Sequence, residues 1–373
     1  MRIAACADVH LGNPGRHGGP VVAGINTRGQ QVLTVLRRAV QEAAASGAEA
    51  LVIAGDLMDS SRMRPQWIRA AQEVLGSTGM TVHIISGNHD QESTAEGDNA
   101  LTPLKALANV QVHEIPTIVY SADHTLVLVP FQPGPASKWF PKALDTLLGG
   151  IPARNPRVLA FHLGVKDATT APWLVDAPDS IDATELHALM VKHSIGFAIA
   201  GNWHDGRQWE VQGHTIVQCG ALCPTGWNNP GLDGYGGLVL YDTLARQHII
   251  QEIPGPRFLK ATTVEEATGL LGDCRRRAGG ASLSYLMLEV PPAELTGARA
   301  FLAARTTTGE VAAGEVIPDD SGARDAAHLA GRVARSAETL EEAVTGFVGA
   351  MALPDGVKRE EVLADVRQYM KKG

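Results

Sequence analysis

Ala50-Leu51-Val52-Ile53-Ala54 is an unbroken apolar run of strand length, and Gly55-Asp56-Leu57-Met58-Asp59 follows it directly. A strand that is apolar at every position is buried on both faces, as in a parallel sheet covered by helices. Outward from it, Ile3 to Cys6 is a similar run leading into Asp8-Val9-His10, and Val82 to Ile85 leads into Gly87-Asn88-His89-Asp90. Between the first two runs, Val32, Leu33, Val35, Leu36, Ala39, Val40 and Ala43 recur at helical spacing until Gly47 supplies a stop. Pro65 then opens a helix through Trp67, Ile68, Ala71 and Leu75. The order βαβαβ predicts a layered α/β domain.

From about Val110 the periods shorten, with strands expected at Thr125 to Val129, Val158 to Phe161, Phe197 to Ala200, Thr215 to Gln218 and Leu238 to Tyr241, and a helix between Asp182 and His193. The expectation is two sheets packed face to face with helices outside, one half entered after the other. Ile253-Pro254-Gly255-Pro256 breaks the pattern and sets the expected boundary of a first domain, 1–254. A small α+β domain, 255–335, follows, with strands at Phe258 to Ala261 and Ser284 to Val290 and a helix through Leu270 and Leu271. Thr306 to Gly322 holds few large apolar residues and reads as a loop. Residues 336–373 read as two amphipathic helices joined by Pro354-Asp355-Gly356.

At 373 residues and 45% hydrophobic, the chain has room for about two domains and is not a disordered one. The net charge of -8 argues against a polyanion binder that works by bulk charge, although bound divalent cations would restore positive charge locally. Cys6, Cys219, Cys223 and Cys274 lack zinc-site spacing and read as plain thiols. No apolar run approaches the ~20 residues that span a bilayer, and Met1-Arg2-Ile3 enters a strand rather than a signal peptide, so a cytoplasmic protein is expected.

Two further clusters follow later strands: Phe161-His162-Leu163-Gly164, and Gly201-Asn202-Trp203-His204-Asp205. Ligands gather at the carboxyl ends of strands in α/β sheets, so all five clusters can converge. Asp, His and Asn offer the oxygen and imidazole donors that suit Mn, Fe or Zn. Asp8 and His10, two apart in an extended segment, would share a face, and Gly55, Gly87 and Gly201 would let the backbone turn. Taken singly, each cluster is also an ordinary turn, and His162 could be a core histidine. Five in succession are not explained that way.

The order Asp-x-His, Gly-Asp-x-x-Asp, Gly-Asn-His-Asp, His and a final Gly-x-x-His resembles the calcineurin-like metallophosphoesterases. Ala7-Asp8-Val9-His10-Leu11-Gly12 and Gly55-Asp56-Leu57-Met58-Asp59 look most like the SbcD-like nucleases of that superfamily. The resemblance implies a four-layer αββα sandwich with a small C-terminal α+β capping domain and terminal helices. It also implies two divalent metal ions, Mn2+ foremost. Asp8, His10 and His204 would hold the first ion, Asp56 would bridge, and Asn88 and His162 would hold the second. His89 would serve the leaving oxygen, oriented by Asp59 or Asp90. Asn202 departs from the family's Gly-His-x-His; as a weaker ligand it would loosen the second site.

The implied activity is two-metal hydrolysis of DNA phosphodiester bonds, exonuclease and endonuclease, in double-strand-break processing. Partners would be single-stranded or duplex DNA ends and an SbcC-like coiled-coil ATPase docked on the terminal helices, with the chain itself a homodimer. Trp203 could stack on bases, and Arg275-Arg276-Arg277 could contact phosphates, although such a run is also an ordinary solvated helix face. The terminal helices could equally pack on each other. A small-ester phosphodiesterase or phosphatase, and a metal-poor scaffold that binds DNA ends, remain alternatives from the residues alone.

Overall fold

The computed structural model describes residues 1–13, 19–91, 99–171, 174–227, 236–277, 284–319 and 362–363. The chain forms two compact units, one of Met1–Leu288 with Ala298–Glu315 and one of Glu289–Gly297 with Val316–Gly373.

In chain order the first unit begins with β1 (Arg2–Cys6), a short hairpin of β2 (Val21–Val22) and β3 (Ile25–Asn26), α1 (Thr27–Ala45), β4 (Ala50–Ala54), α2 (Pro65–Gly76), β5 (Thr81–Ile85) and β6 (Val110–His113). Next come β7 (Thr117–Tyr120), β8 (Thr125–Val129), α3 (Ala136–Leu148), β9 (Arg157–His162), the short pair β10 (Gly164–Lys166) and β11 (Ser180–Asp182), and α4 (Ala183–Lys192). The run ends with β12 (Ile195–Gly201), β13 (Arg207–Val211), β14 (His214–Gln218), β15 (Gly236–Asp242) and β16 (Gln247–Ile253).

Among the described residues these strands make two six-stranded sheets, ordered β16-β15-β1-β4-β5-β6 and β13-β14-β12-β9-β8-β7. Ile3, Ala5, Val52 and Ile85 of the first meet Leu126, Leu128, Val158 and Phe197 of the second in a shared apolar layer. On the outer faces, α1 and α2 bury Leu36, Val40, Trp67 and Leu75 against the first sheet. Likewise α3 and α4 bury Phe140, Leu144, Leu186 and Met190 against the second. The result is the αββα sandwich expected from the motifs.

Parallel pairing carries the loops to one end. Cys6 pairs with Ile53 and Ala54 with Ile85, so the segments after β1, β4 and β5 leave side by side. In the second sheet, Gly201 pairs with His162, which aligns the ends of β12 and β9 in the same way.

Two expectations are corrected here. The strand through Leu238 to Tyr241 does not continue the second sheet; it returns to pair antiparallel with β1, Tyr241 opposite Ile3, and completes the first sheet. The helix α3 is absent from the sequence reading because Pro141 interrupts it, although Ala136, Phe140, Leu144 and Leu148 keep a four-residue stripe.

After Pro254-Gly255-Pro256 come β17 (Arg257–Ala261), α5 (Val264–Arg277), β18 (Ser284–Val290), α6 (Leu295–Thr307) and β19 (Val311–Pro318), with sheet order β17-β18-β19. The expected loop from Thr306 is therefore wrong, since α6 runs to Thr307 and β19 follows. Small residues carry these elements: Ala298 is the buried residue of α6, and β19 opens Val311-Ala312-Ala313-Gly314. In the second unit, the Asp319 N–H donates to the Val290 carbonyl at 2.9 Å. The two terminal helices expected in 336–373 lie outside the described residues except for Val362 and Leu363, which are helical. No helix among the described residues is long and apolar enough to cross a membrane.

Candidate metal centre

The loop after β1 and the loop after β4 are zipped together by backbone hydrogen bonds. Asp8 N–H donates to Gly55 O at 3.1 Å, Val9 and His10 N–H both donate to Asp56 O at 2.9 and 3.0 Å, and Leu11 N–H donates to Leu57 O at 2.9 Å. Asp8 and His10 are not extended: their φ values are +52° and +51°, with Asp56 at +50° and Asn202 at +88°. Left-handed backbone, rather than strand alternation, aims these side chains, and strain of this kind collects at functional sites. Gly87 and Gly201 are needed for closeness instead of turning. A Cβ would lie 2.0 Å from Asp56 Oδ1 at the first and 2.1 Å from Ala54 O at the second.

Six of the seven ligands named from the sequence are linked in a chain of close polar contacts. Ligand atoms of Asp8, His10 and His204 fall within 4.8 Å of one another, as do those of Asp8, Asp56 and His162. His10 Nε2 lies 3.0 Å from His204 Nε2. Asp56 spans both groups, with Oδ2 3.7 Å from His10 Nε2 and Oδ1 3.5 Å from His162 Nε2. Asn88 Oδ1 is 2.9 Å from His162 Nε2.

The residues fit a pair of divalent cations. His162 Nδ1 donates to the Ala54 carbonyl at 2.8 Å, so the neutral ring presents a lone pair at Nε2. In that neutral form the Nε2 lone pair faces two acceptor oxygens, those of Asn88 and Asp56, a donor set that suits a cation; a second ring proton satisfies the same oxygens when no cation is bound. The surrounding carboxylates favour positive charge at this place. Burial, reinforced by Asp56, pushes Asp8 up to about 7, whereas Asp56 is held at about 2 against its burial by the His162, His10 and His89 imidazoles. His162 rises to about 9 against its burial because Asp56 and Asp8 face it; His204 is pushed down to about 4 by burial and by His10.

His89 is exposed at the rim, its backbone N–H donating to Asp56 Oδ1 at 2.9 Å. Its Nδ1 lies 3.0 Å from the Asp59 carbonyl oxygen, and that backbone group orients the ring in place of a carboxylate. The Asp59 carboxylate instead stands 3.2 Å from His10 Nδ1, a charge contact, and accepts from Asn13 Nδ2 at 3.0 Å. Asp90 is also reassigned. Fully buried, it accepts from Met58 N–H at 2.8 Å and Gly87 N–H at 2.9 Å, which fastens the second loop to the third.

Asn202 donates its backbone N–H to both Asp8 oxygens at 3.1 Å, and its side-chain Nδ2 to Asp179 Oδ2 at 3.0 Å. Only its Oδ1 is left for an ion. Asp179, like Thr225, whose Oγ1 is 3.2 Å from His204 Nδ1, sits in no recognisable motif and is invisible in sequence.

Of the residues expected at nucleic acid, Trp203, Arg275 and Arg276 each have an intramolecular contact. Trp203 is 7% exposed and lies against Gly164, where a side chain would collide with the ring, so it is packing and not a stacking platform. Arg275 pairs with Glu310 and Arg276 with Asp273 on exposed α5; the Arg277 side chain lies outside the described residues.

The family model described as calcineurin-like phosphoesterase matches residues 1–206, a span that contains every ligand above. Among solved structures, the TT1561 protein of Thermus thermophilus is 16% identical, covering 68% of this chain and 99% of that one, with a TM-score of 0.42. An archaeal phosphodiesterase is 13% identical over 68% of this chain and 99% of its own (TM-score 0.38). A putative 5'-nucleotidase from Staphylococcus aureus is 15% identical over 68% and 54% (TM-score 0.41). No curated protein matches the chain. With more than half of its length matched and the ligand set assembled, the chain belongs to the calcineurin-like phosphoesterases, hydrolases of phosphoesters built on a dinuclear divalent metal centre.

Proposed function

We propose that this protein is a Mn2+-dependent DNA exonuclease and endonuclease, the nuclease subunit of a double-strand-break processing complex of the SbcD-like kind. The observation that carries the hydrolytic part is the meeting of Asp8, His10, Asp56, Asn88, His162 and His204 beneath an exposed His89. The DNA part is supported by the motif resemblance of Ala7 to Gly12 and Gly55 to Asp59, and by the presence of an α+β segment after residue 255.

Held by these residues, two divalent cations would supply water activation near neutral pH and charge neutralisation for a phosphate ester. The chain does the rest. Asp56, with one oxygen toward each group of ligands, sets their separation. Asp59 orients His10 by its carboxylate and His89 by its carbonyl. With Nδ1–H turned to that carbonyl, His89 directs Nε2 toward the leaving oxygen, where a second proton on the ring would be the one passed to that oxygen or used to stabilise its charge. An SbcC-like coiled-coil ATPase and a homodimer belong to the same proposal.

A small-ester phosphodiesterase is the second reading, favoured by the burial of Trp203 and the paired state of Arg275 and Arg276. A time course on end-labelled single-stranded and duplex DNA with Mn2+, Mg2+ or chelator, beside a His89→Ala control and a nitrophenyl phosphodiester, separates them. Mn2+-dependent cutting lost in the control supports the nuclease; turnover of the nitrophenyl ester with DNA left intact supports the second reading.

A further inference from the structure

The segment Cys223-Pro224-Thr225-Gly226-Trp227 touches a metal-centre histidine at its middle and is gripped at both ends. Just before it, Leu222 N–H donates to Ala7 O at 3.0 Å, next to Asp8. Beyond it, Trp227 Nε1–H donates to the Leu259 carbonyl of β17 at 3.0 Å, and its ring meets Phe258 edge-on at 5.2 Å. Between them, Arg28 of α1 donates from Nη2 to the Pro224 carbonyl. Its guanidinium lies 5.1 Å from the Phe258 ring centre and 5.7 Å from that of Tyr285, two rings that stack at 4.7 Å. Arg28 is 4% exposed, and a buried charge is a costly way to fill space.

We propose that this strap is a positioning element of the metal centre, and that through it the β17–β18 strands set how tightly one of the two ions is held. His204 Nδ1 lies 3.2 Å from Thr225 Oγ1, and with the hydroxyl oxygen as acceptor this contact selects the tautomer whose Nε2 lone pair faces His10 Nε2 and Asp8. Arg28 and Trp227 hold Thr225 at that distance by anchoring the strap to Phe258, Leu259 and Tyr285. Thr225 and Arg28 touch no reacting atom; they act through His204. The inference rests on the metal-centre reading above.

The test is equilibrium Mn2+ binding to the full chain by electron paramagnetic resonance, with wild type, Thr225→Val, Thr225→Ser and Arg28→Lys, each checked for native circular dichroism. Nitrogen-15 imidazole shifts of the metal-free proteins report the His204 tautomer in parallel. Thr225→Val should weaken one site about 10- to 100-fold and leave the other. Thr225→Ser should restore it, and Arg28→Lys should weaken the same site by a smaller factor. A Thr225→Val protein with both sites at wild-type affinity and an unchanged tautomer would overturn the strap's role while leaving the metal centre standing. Wild type that binds no Mn2+ would overturn both. Should Thr225→Val lose native structure, Arg28→Lys decides: wild-type affinity and tautomer in that variant also overturn it.

Discussion

Two pairs of buried histidines in the same sandwich, His10 with His162 and His83 with His113, are treated oppositely, and His204 of the metal centre follows the second pair. At the carboxyl ends of the strands, His10 and His162 stand among Asp8, Asp56 and Asp59 and are raised, against their burial, toward the charged form. Elsewhere in the first sheet, His83 on β5 and His113 on β6 face each other, Nδ1 to Nε2, at 3.2 Å. There burial pushes His83 down to about 4, with His113 and His124 adding to the effect, and burial lowers His113 as well. His124 turns its Nδ1 to Asp123 at 2.9 Å. Imidazoles alone do not mark a metal centre; carboxylates converging on them from separate loops do. The strained φ values at Asp8, His10, Asp56 and Asn202 occur in the first group and in neither His83 nor His113.

The sharpest way to break the contrast is to remove the carboxylate shared by the two ligand groups. Asp56→Asn should abolish phosphodiester hydrolysis, a loss of about 10⁴-fold or more by a Mn2+-supplemented turnover assay. His89→Gln should lower kcat by about 10²- to 10³-fold while the number of bound Mn2+ ions stays at the wild-type value, as the role proposed for His89 at the leaving group requires; a lost ion would instead make His89 a ligand, with His10 and Asp59.

The second histidine group should answer to pH instead of metal. His83 has its folded pKa below the ordinary 6.5, so between about pH 6.5 and 4 the unfolded chain binds more protons than the folded one. Stability is therefore present above pH 6.5 and lost as pH falls toward 4, by up to about 3 kcal/mol. His83→Gln should flatten that part of a urea-midpoint profile, and a profile identical to wild type would show that His83 is not the acid-sensitive group.

The smallest effect is expected where charge is exposed. Asp123 is held at about 2 by His124 and by the N-terminal ammonium, which lies 2.9 Å away. A depressed carboxylate stabilises above pH ~3.8 and ceases to do so as pH falls toward 2. Asp123→Asn should lower Tm by about 2 °C or less at pH 7, with the gap closing below pH 4.

The ligands are legible in the sequence because each follows an apolar strand at once, and parallel pairing then brings the strand ends together. What a side chain does after arrival depends on contacts that no spacing encodes. Asp90 and Asp59 sit in motifs, yet one fastens two loops and the other works partly through its carbonyl. Trp203 stands between ligands but is covered by the approach of Gly164. Thr225 and Asp179 reach the centre from segments with no pattern of their own. The same holds for architecture: the fully apolar β4 and the apolar run Leu126 to Val129 of β8 announce themselves, whereas α3 is masked by Pro141 and α6 by its scarcity of large apolar residues.

The most direct test of the central claim is a Mn2+ titration of the metal-free protein followed by electron paramagnetic resonance, wild type beside Asp56→Asn. Two ions per wild-type chain, with coupling between them lost in Asp56→Asn, is the expected result. A wild-type chain that binds no Mn2+, or an Asp56→Asn chain that binds two coupled ions as the wild type does, would contradict a metal centre built on that shared carboxylate.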